Sequence, residues 1–432
     1  MKVLGRSALE RIVAPKGLAL ISLAIFLVAW IMPPRLYSGY MNEPDLMFLD
    51  PASGIYYFLC VACFLGGVSA FEYLFPYRPG ADVELRVRVP SALFVLAPVM
   101  LAMGFTVASC VLTIREYPEV ILAVVSGSGE AIKNSPLLLH TPLGLANTWL
   151  LGTLVWAIWR LEQVPISPAA RRAVWAVIGV AFLLCLAAAT LKVSRFEVML
   201  PIVCVAVTFG AKVRPKARIG RLQIAIYLIS IFASMVLIFV LFAAIRGADV
   251  QTFFANVIGY TLASYNRMAA VVHGRIRYEY GGQGTYLINF LGFNNMLNRI
   301  IPIAKTLRWP DYYDWWQSEF TTVADAGLNG SYIWSGTFGY IFGDLGWLSP
   351  LWLFAQGVLF GYLWTAMRRG TLAGLLLYPW AAASILFWFT TNSFVENDLT
   401  VFLLEALMVA CYEGLLSSSR QGAIGASLGA TR

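Results

Sequence analysis

Long apolar runs follow one another along most of the chain, and short polar stretches separate them. A run of about 20 apolar residues is long enough for a helix to cross roughly 30 Å of hydrocarbon. No internal repeat is visible, so the pattern predicts an all-α, polytopic membrane protein built as one membrane domain. About ten spans meet the length criterion, at approximate positions 17–33, 54–76, 90–112, 141–159, 173–191, 197–211, 222–245, 350–367, 371–393 and 399–417.

Composition agrees with this interpretation. The chain of 432 residues is 59% hydrophobic and 12% charged, whereas soluble domains are about 45–50% apolar. Pro33-Pro34-Arg35 follows the first run in place of a small-residue cleavage site, so we expect that run to be retained. All six cysteines fall inside predicted spans, where neither a disulfide framework nor a metal site is expected.

Positive charge is distributed unequally between the two sides of the predicted bundle. The termini and the loops on one side hold 19 of the 31 Lys and Arg residues, and the positive-inside rule assigns that side to the cytoplasm. Both termini are then cytoplasmic. The net charge of +8 reflects this topology, and it gives no reason to expect a nucleic-acid partner.

The one long gap between spans divides the chain into three parts: helices one to seven in 1–245, a large outer segment in 246–349, and helices eight to ten with a cytoplasmic tail in 350–432. Within the outer segment, apolar residues at three- and four-residue spacing over 254–268 predict an amphipathic helix, lying in lipid or against the bundle. The stretch 275–279 alternates with period two, so Arg275, Arg277 and Glu279 share a face if it is extended.

An aromatic, polar run extends from Trp309 to Phe320, and it carries Asp311, Asp314 and Glu319 among its tryptophans. Tryptophan and tyrosine concentrate at membrane interfaces because their rings are amphipathic. The alternative is a platform for sugar rings, since aromatic faces here stand beside carboxylates.

Two arginines lie at outer ends of predicted spans, against the orientation rule. Arg195 opens the sixth span in Ser194-Arg195-Phe196-Glu197, and Arg246 ends the seventh. Snorkelling to headgroups explains a single arginine of this kind. A pair facing one compartment favours a diphosphate site, because guanidinium offers a rigid donor fork that matches phosphate oxygens.

Four further ionisable residues are of interest. Glu197 is either part of the same site or an anchor at the positive end of its helix. Glu405 lies within the last span, where a carboxylate is costly, and a hydrogen bond between helices is the preferred explanation. His273, in the outer segment, is a candidate general base. Asp344 closes a glycine-rich turn, and it either acts chemically or fixes that turn.

The order of these features resembles the bacterial O-antigen and oligosaccharide repeat-unit polymerases, which are GT-C-type membrane glycosyltransferases. The likeness covers roughly residues 190–370, about two fifths of the chain. It consists of Ser-Arg-Phe-Glu opening one span, Ile-Arg-Gly closing the next, a large outer loop, and Thr337-Phe-Gly-Tyr-Ile-Phe-Gly-Asp344-Leu-Gly346 leading into a span with Gly357 and Gly361.

The resemblance implies a transferase at the periplasmic face of the inner membrane that uses neither a metal nor any other cofactor. It would move a growing glycan from undecaprenyl diphosphate to a new lipid-linked repeat unit, working with a chain-length-regulating polysaccharide co-polymerase. Arg195 and Arg246 would contact the diphosphate, with Arg275 and Arg277 behind them, and stabilise its developing charge. A base must take the acceptor's proton; the sequence leaves Glu197, Asp344, His273, Asp249 and Glu279 open.

Two other functions compete with this one. O-antigen ligases use the same kind of donor, but they place a histidine before the Gly-Asp-Leu-Gly-like turn, and residues 331–338 contain none. A glycan transporter is the alternative from another class. Transporters usually show repeated halves, and none is visible here.

Overall fold

The computed structural model describes residues 8–49, 51–77, 84–87, 91–126, 142–192, 195–212, 221–245 and 250–420. Helices dominate this part of the chain. They are α1 (Ala8–Val13), α2 (Pro15–Ile31), α3 (Pro34–Met41), α4 (Leu46–Leu49), α5 (Pro51–Leu74), α6 (Leu93–Glu116), α7 (Glu119–Ser126), α8 (Leu143–Arg160), α9 (Pro168–Leu191), α10 (Arg195–Lys212), α11 (Arg221–Ile245), α12 (Val250–Val272), α13 (Asn289–Gly292), α14 (Asn295–Ile300), α15 (Ile303–Leu307), α16 (Tyr312–Asp325), α17 (Gly336–Leu345), α18 (Ser349–Arg368), α19 (Leu372–Leu386) and α20 (Asp398–Leu416).

Short elements complete the secondary structure. Gly346–Leu348 and Ser393–Val395 are 3₁₀ turns. Strands β1 (Glu84–Val87) and β2 (Ser417–Arg420) pair antiparallel, with Glu84 opposite Arg420. The predicted all-helical class is therefore correct apart from this one two-stranded ladder.

Each of the ten predicted spans overlaps a helix. Among the described residues, four helices (α5, α6, α9 and α20) are long and apolar enough to cross a membrane on their own. Helices α2 and α3 form a fifth candidate together, and they bend by 93° at the break between them. The fold is thus a helical bundle with four or five membrane-capable helices, while the number of ten spans and their orientation stay predictions.

Helices α5 and α18 pack backbone to backbone. A Cβ added to Gly67 would stand 2.1 Å from the carbonyl oxygen of Phe354, and one added to Gly357 would stand 2.2 Å from that of Phe64. Glycines on both helices therefore allow the close approach. Lipid tails are as apolar as the helix surfaces, so apolar helices in a membrane associate mainly through close packing at small residues. Tyr56, on α5, also donates a hydrogen bond of 2.8 Å to the Phe338 carbonyl of α17.

Polar contacts join α8 to α20. Thr153 donates to the Glu405 carboxylate over 2.7 Å, and Arg160 Nε donates to Glu413 over 2.7 Å. A buried carboxylate without a partner would be strongly unfavourable in this setting. The predicted hydrogen bond between helices at Glu405 is confirmed.

Helix α12 contains the predicted amphipathic stretch 254–268. Its second half is buried on all sides, from Ala263 to Val271. The helix packs against α17, α3 and α2, so the interpretation in which it lies against the bundle is the correct one.

The predicted span 371–393 is wrong at its end, because α19 stops at Leu386. Polar residues follow at 390–393, and such side chains compete with the helix for backbone hydrogen bonds. The chain after α19 instead forms hydrogen bonds with the first turn of α17. Thr337 donates its backbone N–H to the Trp388 carbonyl over 2.8 Å, and its hydroxyl donates to the Thr391 carbonyl over 2.9 Å.

Candidate functional site

A cavity of about 780 Å³ lies where three helices begin and the segment between α12 and α17 covers them. The first turns of α8, α10 and α20 form its floor. The cover comes from residues 286–340, and one side from residues 390–398. The described lining residues include Asn147, Thr148, Lys192, Glu197, Tyr286, Phe293, Asp311, Trp315, Trp316, Glu319, Tyr340, Thr391, Asn392, Glu396, Asn397 and Asp398.

Side chains of the 392–400 turn attach the cover to the floor. Asn392 Nδ2 donates to the Tyr286 carbonyl over 3.3 Å, and Asn397 Nδ2 donates to that of Phe293 over 3.4 Å. Thr400, in α20, donates to the Phe290 carbonyl over 3.3 Å. These bonds give partners to backbone carbonyls of the covering segment, and they fix that segment over the cavity.

Glu319, on α16, is a buried carboxyl at the cavity wall. The hydroxyls of Tyr286 and Tyr340 donate to its two oxygens over 3.0 and 2.8 Å. Burial raises the pKa of Glu319 to about 8, against the lowering effect of both tyrosines. The group is therefore mainly protonated at neutral pH, when it can donate a hydrogen bond as well as accept one.

Glu396 follows the 3₁₀ turn and is half-buried. The Thr391 hydroxyl donates to its Oε1. Burial raises the pKa of Glu396, and the negative charges of Asp398 and Glu197 act in the same direction. The Thr391 hydroxyl opposes them, and the resulting pKa is about 7. A carboxylate that titrates near neutral pH suits general base catalysis, because the efficiency of proton transfer is greatest when the pKa is near the working pH.

An ion pair stands at the start of α10. Lys192, just after α9, lies 2.5 Å from Glu197 Oε1, and Lys192 is the one cation among the described lining residues. Asp398, in the first turn of α20, accepts a hydrogen bond from the Thr148 hydroxyl. Its position suits a carboxylate, because the first turn of a helix carries partial positive charge.

Aromatic rings form the wall opposite α8. The Trp315 ring lies 5.4 Å from that of Tyr286 and 4.9 Å from that of Phe293, centre to centre. The Trp316 ring meets Phe320 edge to face at 5.0 Å. These contacts hold the indoles in place, which a rigid binding wall requires. The predicted aromatic run beside carboxylates is thus part of a cavity.

Of the residues that the sequence predicts for the site, Glu197 lines the cavity. Arg195 is the first residue of α10, two positions before it, and its side chain lies outside the described part of the structure. Arg246 and Asp249 fall wholly outside the described residues.

Four other predicted residues are not among the described lining residues. Arg275, Arg277 and Glu279 are exposed, whereas Ile276 and Tyr278 between them are buried, so the predicted alternation is confirmed. His273 is exposed just after α12. The described lining therefore contains neither His273 nor the charged groups of Arg275, Arg277 and Glu279.

Asp344 holds a turn, although a different one from the turn predicted. Its carboxylate accepts from the backbone N–H groups of Gly282, Gly284 and Tyr286, over 3.0, 3.1 and 2.8 Å. Burial raises the pKa of Asp344 and these backbone donors oppose the shift. Gly282 and Gly284 have φ angles of +81° and +79°, which glycine adopts without steric cost.

Sequence reasoning missed Glu396, Asp398 and Lys192 as site residues. The signal for the first two was the polar run 390–393 at the end of an apolar span, followed by Glu396-Asn-Asp398. Polar residues there are expensive in lipid, so they indicate a turn that faces protein or water.

The cavity combines rigid aromatic rings, a carboxylate that titrates near neutral pH and several hydrogen-bond acceptors. Such a lining can orient a hydroxyl-rich ligand and take a proton from one of its hydroxyls. No protein-family model, curated protein or solved structure matches this chain.

Proposed function

We propose that the chain is a membrane glycosyltransferase that polymerises lipid-linked oligosaccharide repeat units. A growing glycan is transferred from a polyprenyl diphosphate to a hydroxyl of the next lipid-linked unit, at the periplasmic face of the bacterial inner membrane. The observation that carries the proposal is the cavity, in which indole rings and carboxylates stand at the first turn of α10, where Arg195 lies. The resemblance of residues 190–370 to repeat-unit polymerases supports the same reaction.

Glu396 is the base in this proposal. The acceptor oxygen attacks the anomeric carbon as the bond from that carbon to the diphosphate oxygen breaks, and the hydroxyl proton passes to the Glu396 carboxylate. The Thr391 hydroxyl, hydrogen-bonded to Glu396, orients it. Glu396 replaces the predicted His273 and Asp344 in this role, because it is a lining residue with a pKa near neutral pH.

The leaving diphosphate takes the electron pair of the broken bond and gains negative charge. Arg195 and Arg246 are proposed to bind it, because guanidinium pairs with phosphate oxygens through two parallel hydrogen bonds. The N–H groups of the first turn of α10 have no partner within the helix, and such a helix start favours an anion. The lipid chain then stays in the membrane while the sugars occupy the cavity.

The test is genetic and biochemical. The gene is deleted in its own cell, and the lipid-linked glycans are separated by size. Single repeat units on lipid are expected, and wild-type gene restores polymer. Uncapped long chains stalled on their carrier would indicate the ligase instead, and unchanged polymer would overturn the proposal.

Arg195→Ala then tests the diphosphate contact. We expect polymer to fall at least tenfold while the protein accumulates normally in the membrane. Arg115→Ala is the matched control, because Arg115 is exposed at the last turn of α6 and is not a lining residue. Wild-type polymer from Arg195→Ala would contradict the assignment.

A further inference from the structure

Carboxyl groups outnumber cations on the described wall of the cavity. Its described ionisable carboxyl groups are Glu197, Asp311, Glu319, Glu396 and Asp398. The one described cation, Lys192, is paired with Glu197, so it does not offset the remaining carboxylates. The wall is therefore negative even when Glu319 is protonated.

Two amide oxygens on the same wall lack partners among the described residues. Asn147 is 6% exposed and its Oδ1 has no hydrogen bond. Asn397 donates through Nδ2 to the covering segment, while its Oδ1 has none. Buried polar atoms normally have a partner, so these oxygens indicate a ligand or water that donates hydrogen bonds. Among the described lining residues, Trp315 Nε1 is the one fully buried side-chain donor without a partner.

From this imbalance we infer the class of sugar that the cavity accepts, an inference that rests on the proposed function. The cavity selects sugars that are uncharged or carry an amino group, and it rejects sugars that carry a carboxylate. Hydroxyl, acetamido N–H and ammonium groups are all donors, and they match the acceptors of the wall. A uronic acid would bring a further anion next to Glu396 and Asp398, where partial burial weakens solvent screening.

The lipid diphosphate does not conflict with this selection, because its proposed contacts are Arg195 and Arg246. The sugar next to the diphosphate and the acceptor sugar meet the acidic wall. Selection by charge therefore acts on the glycan and leaves the binding of its carrier unaffected.

The test measures binding by the full chain in lipid nanodiscs, through the fluorescence of the cavity tryptophans. The probes are three trisaccharides: N-acetylglucosamine trimer, its deacetylated amino form, and trigalacturonate. We expect saturable binding of the first two probes. The Kd of trigalacturonate should be at least tenfold larger than theirs. In the double variant Glu396→Gln, Asp398→Asn this gap should shrink at least threefold.

Asp325→Asn is the matched control, because Asp325 is exposed at the end of α16, away from the described lining. It should keep the wild-type gap. Equal or tighter binding of trigalacturonate overturns the inference. The inference is also overturned if none of the three probes binds to protein whose melting temperature shows that it is folded. Binding in the expected order together with unchanged polymer in the deletion strain would instead overturn the proposed function alone.

Discussion

Two groups of charged side chains differ in how completely their charges are balanced. In the first, Arg267 of α12 meets Glu43, and neither side chain is accessible to solvent. Arg267 donates to both Glu43 oxygens over 2.9 and 2.8 Å. Its other N–H groups go to the carbonyls of Ala263, Asn329 and Tyr332.

All five guanidinium donors are thus matched, and Glu43 also accepts from Tyr37, Asn266 and the Asn329 backbone. The cavity is the opposite case, since its carboxyl groups outnumber its described cation and border open space. The comparison teaches that full pairing marks a group that holds the fold together. A surplus of carboxyl groups over cations beside a cavity marks a place where a ligand can bind.

The largest effect is expected from breaking the paired group. Arg267→Met leaves Glu43 buried without its counter-charge, and removal of one partner of such a pair costs about 3–5 kcal/mol. We expect little folded protein in the membrane and a lower melting temperature in detergent. Arg115→Met, at an exposed arginine, should stay near wild type.

The double variant Arg267→Met, Glu43→Met sharpens the same comparison. It removes both charges, so it should recover part of the loss, because the cost lies in the uncompensated charge. If the single and double variants melted alike, the pairing of these two side chains would not be what stabilises this region.

The cavity should respond in the reverse way. Glu396→Gln keeps the shape of the side chain but cannot accept a proton, and we expect polymer synthesis to fall about 10²–10⁴-fold with the melting temperature unchanged. In the wild type, activity should rise as pH rises through about 7, where Glu396 loses its proton. Asp325→Asn is the control. Loss of folded protein in Glu396→Gln would place Glu396 with the structural group.

Stability should depend on pH through Glu319. Folding raises its pKa from 4.5 to about 8, so the folded protein holds a proton that the unfolded chain releases. This contribution is fully present below pH 4.5 and is lost as pH rises through about 8. The melting temperature should therefore fall between pH 6 and 9, and Glu319→Gln should flatten that slope. A steeper slope in the variant would contradict the assignment.

The sequence predicted the helices well because apolar length is a local property. The predicted spans 350–367 and 399–417 differ by one or two residues from α18 and α20. It failed at the end of α19, where the turn depends on distant partners such as Thr337. The Arg267–Glu43 pair joins residues 224 positions apart, and no local pattern encodes such a pairing.

The candidate site was predictable in part for the same reason. The run from Trp309 to Phe320 carries its aromatic and acidic character locally, and it became the cavity wall. Glu396 has its pKa near neutral pH because the fold buries it beside Asp398 of α20 and Glu197 of α10. A residue whose chemistry comes from its surroundings cannot be recognised before those surroundings are known.

Asp344 tests whether the comparison also separates structural from chemical carboxylates within one motif, and its effect should be the smallest. Asn in its place keeps one acceptor oxygen, so the backbone N–H groups of 282–286 lose part of their pairing, which costs about 1–3 kcal/mol. We expect a lower melting temperature for Asp344→Asn. The polymer made per folded molecule should stay within about threefold of wild type, because Asp344 does not contact the reacting atoms. Asp325→Asn should change neither quantity. A folded, stable Asp344→Asn protein without activity would return Asp344 to the catalytic role that the sequence predicts. If Asp344 only held the turn, a substitution that left the turn intact would leave the activity intact as well.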